Sequence, residues 1–501
     1  MKNKILYIIA ITCALNAGCK KELNQTPIST ATTGTFFASN IDFVNATNAV
    51  YSDLRAYPDR LLNLSETRSD NLYAVADGPR DWEPINNFAR AITANAYVQE
   101  AWNTNFNGIY RANTLLDKLN TNGSVITDAA LKTRLTAETR FLRAFFYFDL
   151  VRLFGKVPIA DKVVSVNEAA SIPRSPVSAV YNFIIDDLKY AADNLPETYT
   201  GADKGRATKY AAKGILALVY MTRSGPTYNI EGPGLATNDW QAALDLLNEV
   251  INSGKYSFLS SYSDIFSYTN ENNAEVIFDI QYSNGSNPIV GATFPWVLVP
   301  DNYFTSIGKT AQGGLVIRPV SNDLVNTSYT TSDVRRSFNI FTAGYTAAGA
   351  TEIRPFFKKY VDITRVPTNS RLDWPINYIV MRYTDVLMLK AECILRGASG
   401  SQADVDGIMN QVRRRAGLTG TVSGTTLAQL MEERRREFAA EGLRWHDLVR
   451  SGLVTSVMPA WIAKDDVSKS ISPFENNFII YPVPQAELNT APGLYTQNAG
   501  Y

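Results

Sequence analysis

Apolar residues recur at the spacing of an α-helix through most of this chain, and that period decides what it can fold into. Trp102, Phe106, Ile109 and Leu116 line one face of a segment. Leu131, Leu135, Leu142, Phe145 and Phe148 line the next, which stops at Gly155 ahead of Pro158. Val177, Tyr181, Ile184, Leu188 and Leu195 mark a third. Further helical stretches run through Ala211 to Met221, Trp240 to Ile251 and Val386 to Ile394, and others begin at Gln402 and Leu427. Successive segments pair as helical hairpins, each burying its apolar face against its neighbours. The expected fold is mainly α, a scaffold of tetratricopeptide-like helix pairs. No strict repeat of roughly 34 residues survives in the sequence, so the pairing carries this reading.

From about Ser257 to Asn377 the pattern changes. The stretch is rich in Gly, Asn, Ser, Thr and Pro and holds only short strand-like runs such as "EVIFDIQY". An insertion of that length without regular structure is uncommon in a compact domain unless it serves function. It is read as loops and short strands laid over the helical scaffold.

The first residues address the protein to export. Lys2 and Lys4 form a positive start, Ile5 to Leu15 is apolar, and Asn16-Ala17-Gly18 precede Cys19. The apolar run is shorter than the ~20 residues a spanning helix needs, so residues 1–18 read as a cleaved leader. The stretch resembles a bacterial lipobox, with Asn16 where an aliphatic residue is usual, which makes Cys19 the lipidated residue. Residues 19–36 then form a polar tether. An ordinary secretory cleavage site is the other reading. The remaining scaffold is expected as one domain, 37–501, with 37–256 and 378–501 helical and 257–377 loop-rich. Cys393, on an apolar helix face, is read as a buried inert thiol.

Charge and motifs exclude several functions. Lys+Arg and Asp+Glu both number 48 in 501 residues, without the basic excess of a nucleic-acid binder. One histidine, His446, rules out HExxH and most histidine-rich zinc sites, and CxxC and Walker-type loops are absent. Its segment, "EGLRWHDLVRSG", continues a helical pattern from Leu427 to Val449, with Arg444 and Asp447 spaced to pair and Gly452 as a stop. Without a GxSxG serine or reactive cysteine to serve, His446 is read as a surface or packing residue. "ERRRE" at 433–437 is read as a solvated or salt-bridged helix face, and "DVDG" at 404–407 as a helix start or turn. No cofactor or metal site is expected, a structural calcium being left open.

Eight segments in order carry a family resemblance: "WNTNFNGIYRANTLLDKL" (102–119), "AETRFLRAFFYFDLVRLFGKVPI" (137–159), "VYNFIIDDLKYAADNLP", "GRATKYAAKGILALVYM", "MRYTDVLMLKAECI", "VRRRAGL", "ERRREFAAEGLRWHDLVRSG" and the terminal "YPVPQAELNTAPGLYTQNAGY". Together they resemble the SusD/RagB outer-membrane lipoproteins of Bacteroidetes-type bacteria. The resemblance thins between 257 and 377. It implies four tetratricopeptide-like helix pairs and nutrient-binding loops. It also implies an outer-membrane lipid anchor, a position outside the cell, and a role as lid on a SusC-type TonB-dependent transporter. Binding without catalysis follows from the same resemblance.

The candidate ligand residues lie in loop-like segments. Sugar rings offer an apolar C–H face to aromatic planes, and their hydroxyls need amides, carboxylates and guanidinium groups. Trp82 in "DGPRDWEPINN" is flanked by Asp70, Asn71, Arg80, Asp81 and Asn86, and Trp296 is followed by Asp301, Asn302 and Tyr303. Trp82 and Trp296 rank first and Tyr303 next, with Asp70, Asn71 and Arg80 as polar partners. Trp374 is assigned to packing, as are Trp102, Trp240 and Trp445 in their helices. Three functions are carried forward: an oligosaccharide-binding lipoprotein serving a transporter, the same architecture binding peptides, and an exported glycoside hydrolase using two carboxylates.

Overall fold

The computed structural model describes residues 36–75, 80–309, 316–365, 372–490 and 492–501. The leader, Cys19 and nearly all of the tether fall outside the described residues. The longer helices are Asn40–Ser52 (α1), Ala96–Thr121 (α2), Ala129–Phe154 (α3), Val177–Asn194 (α4), Lys209–Arg223 (α5), Trp240–Asn252 (α6), Tyr383–Leu395 (α7), Gln402–Arg415 (α8), Leu427–Glu437 (α9), Arg444–Ser451 (α10) and Val454–Asp465 (α11). From α2 to α8 each helix packs on the one before it, so the chain is mainly α and built of stacked helix pairs.

Local chemistry starts and stops these helices. The Asn95 side chain accepts the N–H groups of Tyr97 and Val98 at the start of α2, and Asp128 does the same for Ala130 and Leu131 at the start of α3. α3 ends where Gly155 takes φ +68°, and a Cβ there would lie 1.9 Å from the Glu231 carbonyl oxygen, so only glycine fits. α2 and α3 approach closely at Gly108, whose Cβ position lies 2.5 Å from the Phe146 ring. From Phe141 to Phe154 α3 is buried on every side, which places it at the centre of the core.

The loop-rich stretch is inserted between α6 and α7, which pack directly on each other across it. Its ends are joined by an antiparallel ladder of Val276–Ile280 with Tyr378–Arg382. The run "EVIFDIQY" thus supplies the strand that closes the insertion onto the scaffold. Cys393 is buried, as its helix face implies, and "DVDG" lies within the first turns of α8, where Ser401 and Asp404 form a capping box.

The helical pattern from Leu427 to Val449 breaks in two. After α9 the backbone turns through left-handed conformations at Ala440 and Gly442. The turn is held by the buried Glu66 carboxylate, which accepts the N–H groups of Ala440 and Gly442 at 3.0 Å each. This tertiary contact overrides the periodicity. The expected Arg444–Asp447 pair does not form: Arg444 forks onto Asp70 at 2.7 and 2.8 Å, and Asp447 receives Arg434 and Arg450.

"ERRRE" is salt-bridged but not solvated. Glu433, Arg434, Arg435 and Glu437 are buried. Glu437 receives Arg335 at 3.0 Å, Arg382 at 2.8 Å and Arg415 at 2.5 Å, and Lys359 joins through Glu441. His446 is buried beside this region. Burial first, then the nearby Arg152 and Arg450 charges, hold its pKa well below the usual imidazole value, so it is a neutral packing residue at pH 7.

Candidate functional site

Two loops and the start of α2 meet around Trp82. The segment before it is threaded through the core: Leu72 bridges Val320, and Tyr73 N–H donates to the Pro319 carbonyl at 2.8 Å. The buried Asn86 closes the loop, its Oδ1 accepting Ala74 N–H at 2.9 Å and its Nδ2 donating to the Leu72 carbonyl at 3.0 Å. Asn95 Nδ2 donates to the Asp81 carbonyl at 2.8 Å and so ties the loop to the cap of α2. Trp82 is thereby fixed on rigid elements rather than on a free loop.

Trp82 and Ala74 form a small apolar cluster against which Tyr97, Trp296 and Val316 pack. The structure therefore brings together the two tryptophans that are 214 positions apart in sequence. Trp296 sits on the short helix Phe294–Leu298, half-buried, with its indole N–H donating to Asp301 Oδ1 at 3.3 Å. Beneath Trp82 lies Arg318, its guanidinium carbon 4.4 Å from the ring centroid and 5.9 Å from that of Tyr97. Arg318 donates to Asn63 at 2.7 Å, to Thr67 at 3.3 Å and to the Tyr97 hydroxyl at 3.3 Å. Its burial lowers its pKa. The buried indole N–H of Trp82 finds no acceptor among the described residues.

Arg80 is exposed and lies 6.0 Å from the Trp82 centroid, at the edge of the cluster. Tyr303 packs elsewhere, 4.9 Å from Phe341 and 5.2 Å from Phe356, in an aromatic group on the inserted strands. Asp70 and Asn71 require correction as ligand partners. Both are buried. Burial alone would raise the Asp70 carboxyl, but Arg435 and Arg444 outweigh it and hold it at about 2. Asn71 Nδ2 donates to Glu66 and its Oδ1 accepts from Arg435. These polar groups are spent inside the fold. Tyr97 and Arg318 were not legible as site residues: Tyr97 reads as an ordinary first-turn helix position, and Arg318 lies in a stretch without periodicity. Trp374 is fully buried, in line with its packing assignment.

The helix carrying Trp296 is anchored by Asp59, which accepts a hydrogen bond from the Thr293 hydroxyl. Burial raises the Asp59 carboxyl to about 7, the Thr293 bond offsetting part of this and Glu100 adding to it. The folded state therefore holds a proton that the unfolded chain releases near pH ~3.9. That stabilisation is complete below about pH 4 and is lost as pH rises through about 7. Asp59→Asn is expected to gain stability over the parent as pH rises from 4 to 7, reaching about 4 kcal/mol and levelling above that. Denaturant midpoints at pH 4.5 and 8 check this, and an equal difference at both would contradict it.

Two family models match most of the chain. One, described as the SusD family, covers residues 274–501, and the other, described as starch-binding and associating with the outer membrane, covers residues 34–221. The chain belongs to the SusD family. A SusD-like protein of Bacteroides ovatus is 29% identical over 473 residues, 90% of this chain and 82% of that one. The starch-binding protein SusD of Bacteroides thetaiotaomicron is 25% identical over 428 residues, covering 75% and 74% of the two chains. Among solved structures of similar fold is a surface glycan-binding protein A of Bacteroides thetaiotaomicron in complex with laminarihexaose. Its TM-score is 0.76 at 25% identity, covering 92% of this chain and 100% of that one. A laminarin-binding SusD-like protein gives 0.73 at 26% identity, with 92% and 100% covered. The likeness in fold to these structures accords with the stacked helices of this chain.

Proposed function

We propose that this SusD-family protein binds an oligosaccharide at the Trp82–Trp296 cluster and passes it, unreacted, to a SusC-type TonB-dependent transporter in the outer membrane. The observation that carries the reading is the convergence of two loop tryptophans and Tyr97 around a buried guanidinium. Half-buried Trp296 and Tyr97 give ring faces, Arg318 fixes the plane of Trp82, and exposed Arg80 at the edge of the cluster gives a polar group for hydroxyls. Relatives named as starch-, laminarin- and glycan-binding proteins support the ligand class. The outer-membrane site rests on a lipid at Cys19 and on the family description. No helix among the described residues is long and apolar enough to cross a membrane. The function calls on no cofactor.

Calorimetry with oligosaccharides tests the reading. Trp296→Ala is expected to weaken binding at least about 30-fold, the cost of losing a central aromatic contact, while changing stability by less than about 1 kcal/mol because the ring is only half-buried. Parallel assays for reducing ends are expected to show none. Release of reducing ends would favour the hydrolase, and binding of peptides alone would favour the peptide-import reading.

A further inference from the structure

A second cleft lies on the opposite face of α2 from Tyr97. At 100° per residue, Trp102, Phe106, Ile109, Tyr110 and Asn113 fall roughly half a turn from Tyr97, and about 20 Å of helix separates Tyr97 from Tyr110. The cleft has a volume of about 570 Å³ and is walled by α2, by the 158–172 segment and by the C-terminal stretch that holds Glu487 and Tyr495. That volume lies within the range of small-ligand sites.

The walls are braced before any ligand arrives. Asn113 Nδ2 donates to the carbonyls of Ala160 at 2.8 Å and Lys162 at 3.1 Å, and Arg143 donates to that of Asp161 at 3.0 Å. The third wall is tied to the second by Tyr495, whose hydroxyl donates to the Ile172 carbonyl at 3.2 Å. Such a cleft loses little entropy on filling.

The groups it presents suit a hydroxylated ring. Tyr110 is 55% exposed, and neither its hydroxyl nor the exposed Asn107 amide is engaged by the described residues. Phe106 and Tyr110 are neighbours on the helix face and offer aromatic surface, while Asn103 and Asn107 supply amides beside them. Glu487 adds a half-buried carboxyl, which burial raises and hydrogen bonds from Trp102 and Gln99 pull back. We propose that this cleft is a second carbohydrate subsite, taking a short oligosaccharide with one ring against Phe106 and Tyr110 and its hydroxyls on Asn107 and Glu487. The proposal rests on the reading that the chain binds glycans. Two sites on one helix would hold a long polysaccharide more firmly than either alone.

The test is calorimetry with laminarihexaose, maltohexaose, xylohexaose, chitohexaose and hexagalacturonate on the parent, on Trp296→Ala and on the double variant Tyr110→Ala with Asn107→Ala. Both altered residues of the double variant are exposed, so an unchanged melting temperature is expected and confirms folding. Two sites in the parent and one in each variant would support the proposal, with binding at the cleft at least 10-fold weaker in the double variant. One site in the parent, abolished by Trp296→Ala and untouched by the double variant, would overturn the cleft and leave the first site standing. One site abolished only by the double variant would support the cleft and remove the first site. No heat with any probe in the parent would overturn both.

Discussion

Glu437→Ala is expected to destabilise the protein by about 3–5 kcal/mol, the usual cost of breaking a buried ion pair from one side. Glu437 is completely buried and its carboxylate receives three guanidinium groups, from Arg335, Arg382 and Arg415. Burial by itself would raise its pKa, but those arginines outweigh it and hold it far below the ordinary glutamate value. Removing it strips one carboxylate partner from each of three buried guanidinium groups at once, leaving Arg415 on Glu275, Arg382 on Glu441 and Arg335 on Glu433 and Asp333, with their donors toward the vacated position unsatisfied. Because its folded pKa is lowered, its contribution is present above the unfolded value of ~4.3 and is lost as pH falls through the folded one. Urea unfolding at pH 7 and at pH 4 checks both parts: a large loss at pH 7, and a smaller difference between parent and variant as pH falls. A change under 1 kcal/mol at pH 7, as for an exposed pair such as Arg90–Glu475, would show that the cluster contributes little.

Trp82→Ala is expected to cost about 3–5 kcal/mol of stability, as other buried Trp truncations do, and to abolish measurable glycan binding. The ring is only 6% exposed and covers the Arg318 guanidinium, so truncation opens a cavity and leaves a buried cation without its nearer aromatic partner. Trp82→Phe keeps an aromatic face and is expected to recover most of the stability and part of the affinity. Thermal melts paired with calorimetry separate the two effects. Binding that survives Trp82→Ala at parental affinity in folded protein would place the ligand elsewhere. The contrast with Trp296 follows from burial: one tryptophan is a structural plate that shapes the site, and the other presents its face.

Much of the scaffold could be read directly from periodicity, because helices such as α2 and α4 carry apolar residues on one face and polar residues on the other. The helix starts at Gln402 and Leu427 and the stops at Gly155 and Gly452 fall where local chemistry puts them. The break after Glu437 was not legible, since it depends on Glu66, a carboxylate 371 positions away in the chain. Charge patterning misled for the same reason. "ERRRE" has the composition of a surface helix face, yet Arg434 and Arg435 meet carboxylates from distant segments and are buried with them, while half-buried Arg436 pairs within its own helix. At the candidate site, loop aromatics pointed to Trp82 and Trp296, while proximity in sequence wrongly added Asp70 and Asn71. Residues adjacent in a loop share no face by virtue of spacing, so nothing local distinguishes a polar group that meets ligand from one that holds the fold. Arg318 reaches the site through tertiary pairing of the 72–73 and 319–320 backbone, and Tyr97 through the tie between Asn95 and the Asp81 carbonyl.

The most direct measurement is electrophoresis of the parent and Trp296→Ala through native gels that each contain one polysaccharide, laminarin, starch, xylan and pectin among them. Retardation of the parent in at least one gel, lost in Trp296→Ala while its migration in a plain gel is unchanged, is the predicted result. Equal retardation of both proteins, or free migration of the parent in every gel, would contradict a glycan site built on the Trp82–Trp296 cluster.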